Sequence, residues 1–134
     1  MPAMNLAPGA THEITRTVTA DMTADAMGNK GVMVFATPAV LTFIENACNA
    51  MLLPHLPAGA ATVGTKVEMS HLGATPLGME VRAKATLLET DGRRFVFSVE
   101  VHDPKEKVAE ARHERFLVND LQKFLARAMK KADG

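Results

Sequence analysis

Three side chains in this sequence are of the right type, in the right surroundings, to move protons or steady a developing charge. Glu45 is a carboxylate in apolar company, flanked by Phe43, Ile44, Ala47 and Cys48. An ionised carboxylate buried alone costs several kcal/mol, so an enclosed Glu45 needs a cation beside it or a raised pKa. Otherwise it belongs to a polar stripe with Thr42, Asn46 and Asn49 that faces water, and the pattern leaves both readings open. His71 follows Val67 and Met69 on the apolar side of its segment and precedes Gly73. Such a histidine is either a satisfied core residue or a neutral-pH base opening on a glycine loop. Thr37 stands before Pro38, where it reads as the N-cap of a helix. That role is structural by default, yet amides at a helix start also suit an oxyanion. Arg115, in Arg112-His113-Glu114-Arg115, is either a surface charge or the cation that keeps Glu45 ionised.

The elements that must position these groups follow from periodicity. Residues 1–10 read as a loose arm, Thr11–Ala20 as a strand, and 21–34 as a loop with room for a turn of helix. Pro38–Leu53 is helical and apolar almost all round, ending before Pro54, Pro57 and Gly59. The exceptions Thr42, Glu45, Asn46 and Asn49 fall at i, i+3, i+4 and i+7, one narrow stripe. A helix this apolar is one that a curved sheet wraps. Ala61–Leu72 then alternates, with Val63, Val67, Met69 and His71 on one face and Lys66, Glu68 and Ser70 on the other. Met79–Leu88 and Arg93–Val101 are joined at Asp91-Gly92, a hairpin signal. A turn at Asp103-Pro104-Lys105-Glu106 leads into Val108–Val118, and Asn119 or Asp120 caps a short basic helix to Met129. One strand, one enclosed helix and an antiparallel meander make an α+β order in a single domain, 1–134.

Composition removes several function classes. The 15 basic and 15 acidic residues cancel, against nucleic acid as a partner. An apolar share of 47% with 22% charged is globular, and no run of 18 apolar residues offers a membrane span. Without a leader pattern the expected location is cytoplasmic. Cys48 is the one cysteine, so neither an intrachain disulfide nor a cysteine zinc site is possible, and its small neighbours mark it as a packing residue. No metal or cofactor is expected. With no Tyr, a tyrosine acid is excluded. The phosphate loop, the dinucleotide fingerprint, the Gly-x-Ser-x-Gly elbow and the His-Glu-x-x-His helix are all absent.

A resemblance narrows the choice. Val34-Phe35-Ala36-Thr37, Glu45-Asn46-Ala47-Cys48, Gly64-Thr65, His71, Ala74-Thr75-Pro76 and Gly78 resemble the fluoroacetyl-CoA thioesterase family. Gly92-Arg93-Arg94, His102-Asp103 and His113-Glu114-Arg115 continue the match, which covers roughly residues 31–125. The resemblance implies a hotdog fold, an antiparallel sheet of about five strands around one long helix, and a homodimer that hydrolyses short acyl-CoA thioesters. It implies Thr37, Glu45 and His71 as the catalytic set, with Arg115 near it and Gly64 lining the acyl pocket. The pattern departs at Ala24–Val34, which is shorter than the family's Phe-bearing lid segment and has no Phe. A general acyl-CoA thioesterase is therefore expected rather than a fluorine-selective one.

On that reading Glu45 attacks the thioester carbonyl or activates water, His71 is general base and acid, and Thr37 orients the set or is itself the nucleophile. Coenzyme A phosphates are expected to meet some of Lys66, Arg93, Arg94 or Lys123, and a histidine limb near pH 6 to 7 is expected in the rate profile. Eight residues of helix separate Thr37 from Glu45 by about 12 Å, so a compact set needs a second subunit or a bent Thr37. Two rivals remain. A hydratase or dehydratase on the same fold would want an Asp/His pair, and the enclosed helix has no Asp. A non-catalytic acyl-CoA binding module would tolerate Glu45→Gln.

Overall fold

The computed structural model describes residues 6–133. β1 (Thr11–Thr17), α1 (Thr37–Leu52), β2 (Ala61–His71), β3 (Glu80–Thr90), β4 (Arg94–His102), β5 (Lys107–Val118) and α2 (Leu121–Met129) follow in that order. The strands form one antiparallel sheet of five in the order β1-β3-β4-β5-β2. Consecutive hairpins explain β3-β4-β5. The Asp91 side chain accepts from the N–H groups of Arg93 and Arg94 at 2.9 and 2.8 Å, closing the first of those hairpins.

α1 lies across one face of this sheet. Ala39, Val40, Phe43, Ile44, Ala47, Cys48, Met51 and Leu52 are buried there against Val81, Ala83, Ala85, Leu87, Phe95 and Phe97. The spacing is that of an amphipathic helix on a concave sheet, and the core is apolar side chains of both layers. The remaining side of α1 is not enclosed by its own chain: Thr42 and Asn46 are exposed, Glu45 and Asn49 half-buried.

Four expectations need correction. The N-cap is Ala36 rather than Thr37, which is already the first helical residue with Pro38 behind it. Residues 6–10 are not a loose arm, because Gly9 N–H donates to Leu87 C=O and Leu87 N–H to Ala10 C=O, both at 2.8 Å; residues 1–5 lie outside those described. The first strand ends at Thr17 and a single 3-10 turn, Ala20–Met22, follows. Finally, β2 carries a bulge between Gly64 and Lys66, which changes its facing pattern. Thr62 and Gly64 face α1 before the bulge, Val67, Met69 and His71 after it, and Val63 is turned to the outer face.

Candidate active site

β2 is an edge strand, and along its inner face it presents two separate clusters of polar groups to α1. At its C-terminal end His71 Nδ1 lies 2.8 Å from Thr37 Oγ1, a hydrogen bond between residues 34 apart in sequence. Freed from capping, the threonine hydroxyl at the start of α1 meets the imidazole. Among the described residues His71 Nε2 is buried with no hydrogen-bond partner. An orphaned polar atom of that kind costs about 1–3 kcal/mol and is where function is to be sought. Burial holds the His71 pKa below its ordinary value, with the backbone of Gly73 pulling weakly the other way. The ring is therefore neutral near pH 7.

The second cluster sits at the bulge. Glu45 Oε2 lies 3.5 Å from Arg115 Nη1, so the cation expected beside the carboxylate is there. Arg115 is 6% exposed and fully engaged: Nε donates to Thr62 Oγ1 at 3.0 Å and Nη2 to Thr62 C=O at 2.9 Å. The Thr62 hydroxyl in turn donates to Asn49 Oδ1 at 2.8 Å, tying the network back to α1. His113 Nδ1 faces the carbonyl of Lys66 at 2.8 Å, an obligate acceptor, so Nδ1 carries the proton and Nε2 accepts from Arg115 Nη1 at 3.2 Å. Burial first, and Arg115 second, hold His113 below its ordinary pKa against the backbone bond to Lys66. The 4.0 Å approach of His113 to Glu45 is thus a neutral contact and not an ion pair.

Gly64 forms the floor under Glu45. A Cβ there would collide with Glu45 Oε2 and press on His113 Cε1 at 3.1 Å and Arg115 Nη1 at 3.3 Å. Glycine is required here for close approach, not for a left-handed φ. His113, Asn49 and Thr62 were given no role from sequence. A signal for His113 existed, since it lies two residues before Arg115 and so shares its face of β5. Cys48 is fully buried, and burial pushes its thiol far above the thiolate range, which leaves it a packing residue.

Thus the structure brings Thr37 to His71, and Glu45 to Gly64 and Arg115, but it does not bring the two groups together within one chain. Each half has a legible chemistry. The first is a neutral base with one nitrogen fixed by a hydroxyl and the other, among the described residues, buried without a partner. The second is a carboxylate with a buried guanidinium behind it.

Comparison with known proteins identifies the family. Residues 18–121 match the model of the fluoroacetyl-CoA-specific thioesterase family. A fluoroacetyl-CoA thioesterase from Streptantibioticus cattleyicolor is 35% identical over 98 residues, spanning 73% of this chain and 70% of that protein. A solved structure of the fluoroacetyl-CoA thioesterase FlK superposes with a TM-score of 0.89 at 28% identity, covering 95% of this chain and 98% of that one. A Thermus thermophilus thioesterase superfamily member follows at 0.82 and 27%, covering 94% of each chain. The chain belongs to the fluoroacetyl-CoA-specific thioesterase family, thioester hydrolases built on the hotdog fold.

Proposed function

We propose that this protein hydrolyses short-chain acyl-CoA thioesters to the free acid and coenzyme A, as a cytoplasmic homodimer whose two identical sites are each shared between subunits. The observation that carries the reading is the His71 ring, pinned through Nδ1 by Thr37, with Nε2 buried and, among the described residues, unpartnered. In this assignment Nδ1–H donates to Thr37 Oγ1 and Nε2 is the base. Glu45, with the Arg115 guanidinium behind it, attacks the carbonyl itself or deprotonates the attacking water. The C–S bond breaks, the coenzyme leaves as its thiol, and the proton lost by the hydrolytic water passes through Glu45 or His71. Amides at the start of α1 face the developing oxyanion. Hydrolysis of an acyl-CoA panel by wild type and His71→Ala tests the reading, and equal rates in the two proteins would refute it.

Geometry motivates the shared site. Thr37 and Glu45 are separated by about 12 Å of helix, and Thr37 is held by His71 of its own chain. Pairing two copies of the free β2 edge antiparallel about a twofold at Glu68, the bulged Thr65 of each strand left out of the register, sets the partner's His71 opposite Gly64 and hence beside Glu45. Complementation separates this from a single-chain site. Glu45→Gln and His71→Ala, each inactive, would on mixing form half heterodimers with one intact site of two, about a quarter of wild-type activity. No recovery after verified subunit exchange would leave only the single-chain version.

For the coenzyme, Arg94 is already paired with Glu89 and Glu114, and Lys66 lies 3.7 Å from Glu68. Arg93 and Lys123, with Arg127, instead line an outer-face cavity of about 550 Å³ walled by Val63, Phe116 and Phe124. These cations hold the nucleotide phosphates, and the pantetheine arm rounds β2 beyond the end of the partner strand. The triple alanine variant is expected to raise KM for acyl-CoA severalfold, and not for an acyl-N-acetylcysteamine thioester. Equal KM changes for both substrates would remove the assignment.

A further inference from the structure

Thr75 and Asp103 are the most deeply buried polar pair outside the two clusters, 0% and 8% exposed. Asp103 opens the β4–β5 hairpin. Its Oδ1 accepts from the N–H groups of Lys105 and Glu106 at 2.8 and 3.0 Å, and its Oδ2 from Thr75 Oγ1 at 2.9 Å. Burial alone would raise its pKa, and these donors outweigh it, so the carboxyl titrates below its ordinary value. Thr75 itself lies in the loop that leaves His71, four residues on. Its carbonyl accepts from Phe35 N–H at 2.8 Å, two residues before Thr37, and a bridge between Val34 and Pro76 sits beside that bond. Phe35 is 2% exposed and packs edge-on against Phe43 of α1, so the start of the helix cannot move independently of it.

One buried residue thus joins three segments: its hydroxyl ties the loop that follows His71 to the hairpin anchored by Asp103, and its carbonyl ties that loop to the stretch that delivers Thr37. We infer that Thr75, held by Asp103, is a positioning residue that keeps Thr37 Oγ1 and His71 Nδ1 within hydrogen-bond distance. Its catalytic consequence rests on the role proposed above for His71. Neither residue reaches the reacting atoms. They act by fastening the loop that follows His71 to the stretch that precedes Thr37, and a misplacement of about 1 Å costs catalysis up to a hundredfold.

Thr75→Val keeps the shape and removes the hydroxyl; Thr75→Ser keeps the hydroxyl. Thr75→Val is expected to lower kcat at least tenfold with KM nearly unchanged, and Thr75→Ser to stay within threefold of wild type. Leu87→Ala, a core truncation on β3, controls for stability, losing a comparable amount of Tm while retaining kcat. The imidazole resonances of His71 in the free protein read the positioning independently of turnover, shifting in Thr75→Val and not in Thr75→Ser or Leu87→Ala. Unshifted resonances in Thr75→Val overturn the inference whatever the rate, as does a wild-type kcat in Thr75→Val when His71→Ala is inactive. A shifted ring with no loss of turnover, in an enzyme that His71→Ala also leaves active, sustains the positioning and overturns the catalytic role of His71 instead.

Discussion

Adding one methyl group at Gly64 should damage catalysis while leaving the fold nearly intact. The Cβ of Gly64→Ala would occupy space now filled by Glu45 Oε2. To restore an ordinary van der Waals separation the carboxylate must retreat by about 1 Å. It can, because its side chain is 37% exposed and free to swing outward. His113 Cε1 and Arg115 Nη1, at 3.1 and 3.3 Å from the new atom, need yield only a few tenths of an ångström. On the stability side, alanine relieves the entropic cost of a strand glycine, about 0.5–1 kcal/mol, which offsets the local crowding. Net stability is therefore expected to change by no more than about 1 kcal/mol, a shift of a few degrees in Tm.

The effect on turnover is larger. A displaced carboxylate loses its line to Arg115 and to the carbonyl it must reach. A misplacement of about 1 Å is worth ten- to a hundredfold, or about 1.4–2.7 kcal/mol of barrier. Steady-state hydrolysis of acetyl-CoA followed by thiol release, beside a thermal melt, measures both quantities. A Gly64→Ala enzyme with wild-type kcat and an unchanged Tm would show that Glu45 need not stand where the structure holds it. A collapse of Tm by ten degrees or more would show that the crowding falls on rigid atoms rather than on the carboxylate.

The remaining expectations concern charge. Because burial lowers the His71 pKa and its neutral form is the base, activity should fall on the acid side with a midpoint below about 6.5; a midpoint above that, or a profile unchanged in His71→Ala, contradicts the assignment. Glu45→Gln should cut kcat about a hundredfold with KM nearly constant, and undiminished turnover would show Glu45 to be only part of a solvated polar stripe. Arg115→Lys cannot reproduce the fork onto Thr62 and His113, so it should cost about 1–3 kcal/mol in denaturant melts and lower kcat. Asp103 has a depressed folded pKa, so its contribution is present above its unfolded pKa of about 3.9 and is lost as pH falls through the folded value. The wild-type Tm should accordingly drop more steeply below pH 5 than that of Asp103→Asn, and parallel curves would refute this.

How far the sequence could be read depended on whether a feature was local. The strands after α1 came out within a residue or two, because Glu80–Leu87 alternates strictly and Asp91-Gly92 closes a turn by its own chemistry. The buried face of α1 followed from spacing alone. What failed was geometry set by distant partners. Thr37 before Pro38 has the form of a cap, and only a histidine 34 residues away diverts its hydroxyl. Glu45 could be read as solvated or enclosed, since nothing near it in sequence is a cation; Arg115 arrives through β5. Asp103 read as a turn residue, and so it is, but its second oxygen holds Thr75.

The bulge in β2 was equally invisible, and the proposed site depends on it. Gly64 and His71 are seven residues apart, an odd interval, so strict alternation would put them on opposite faces of the sheet. The pattern of apolar residues hid this, because Val63 joins Val67, Met69 and His71 in one unbroken alternation. An extra residue between Gly64 and Lys66 breaks that phase. It turns Val63 outward to the cationic cavity and brings Gly64 to the α1 face that His71 already occupies. In an antiparallel pair, residues directly opposite one another point to the same face. A symmetric β2–β2 junction can therefore match Gly64 of one copy with His71 of the other only because the strand is bulged. Deleting Thr65 to restore regular alternation should leave an antiparallel sheet with its hairpins intact, yet turn the first part of β2 over, carry Gly64 away from Glu45 and abolish hydrolysis. Substituting Thr65 by Ser keeps the residue count and should keep the activity. A deletion variant that folds and still turns over acyl-CoA at the wild-type rate would mean that the two halves meet by some other route.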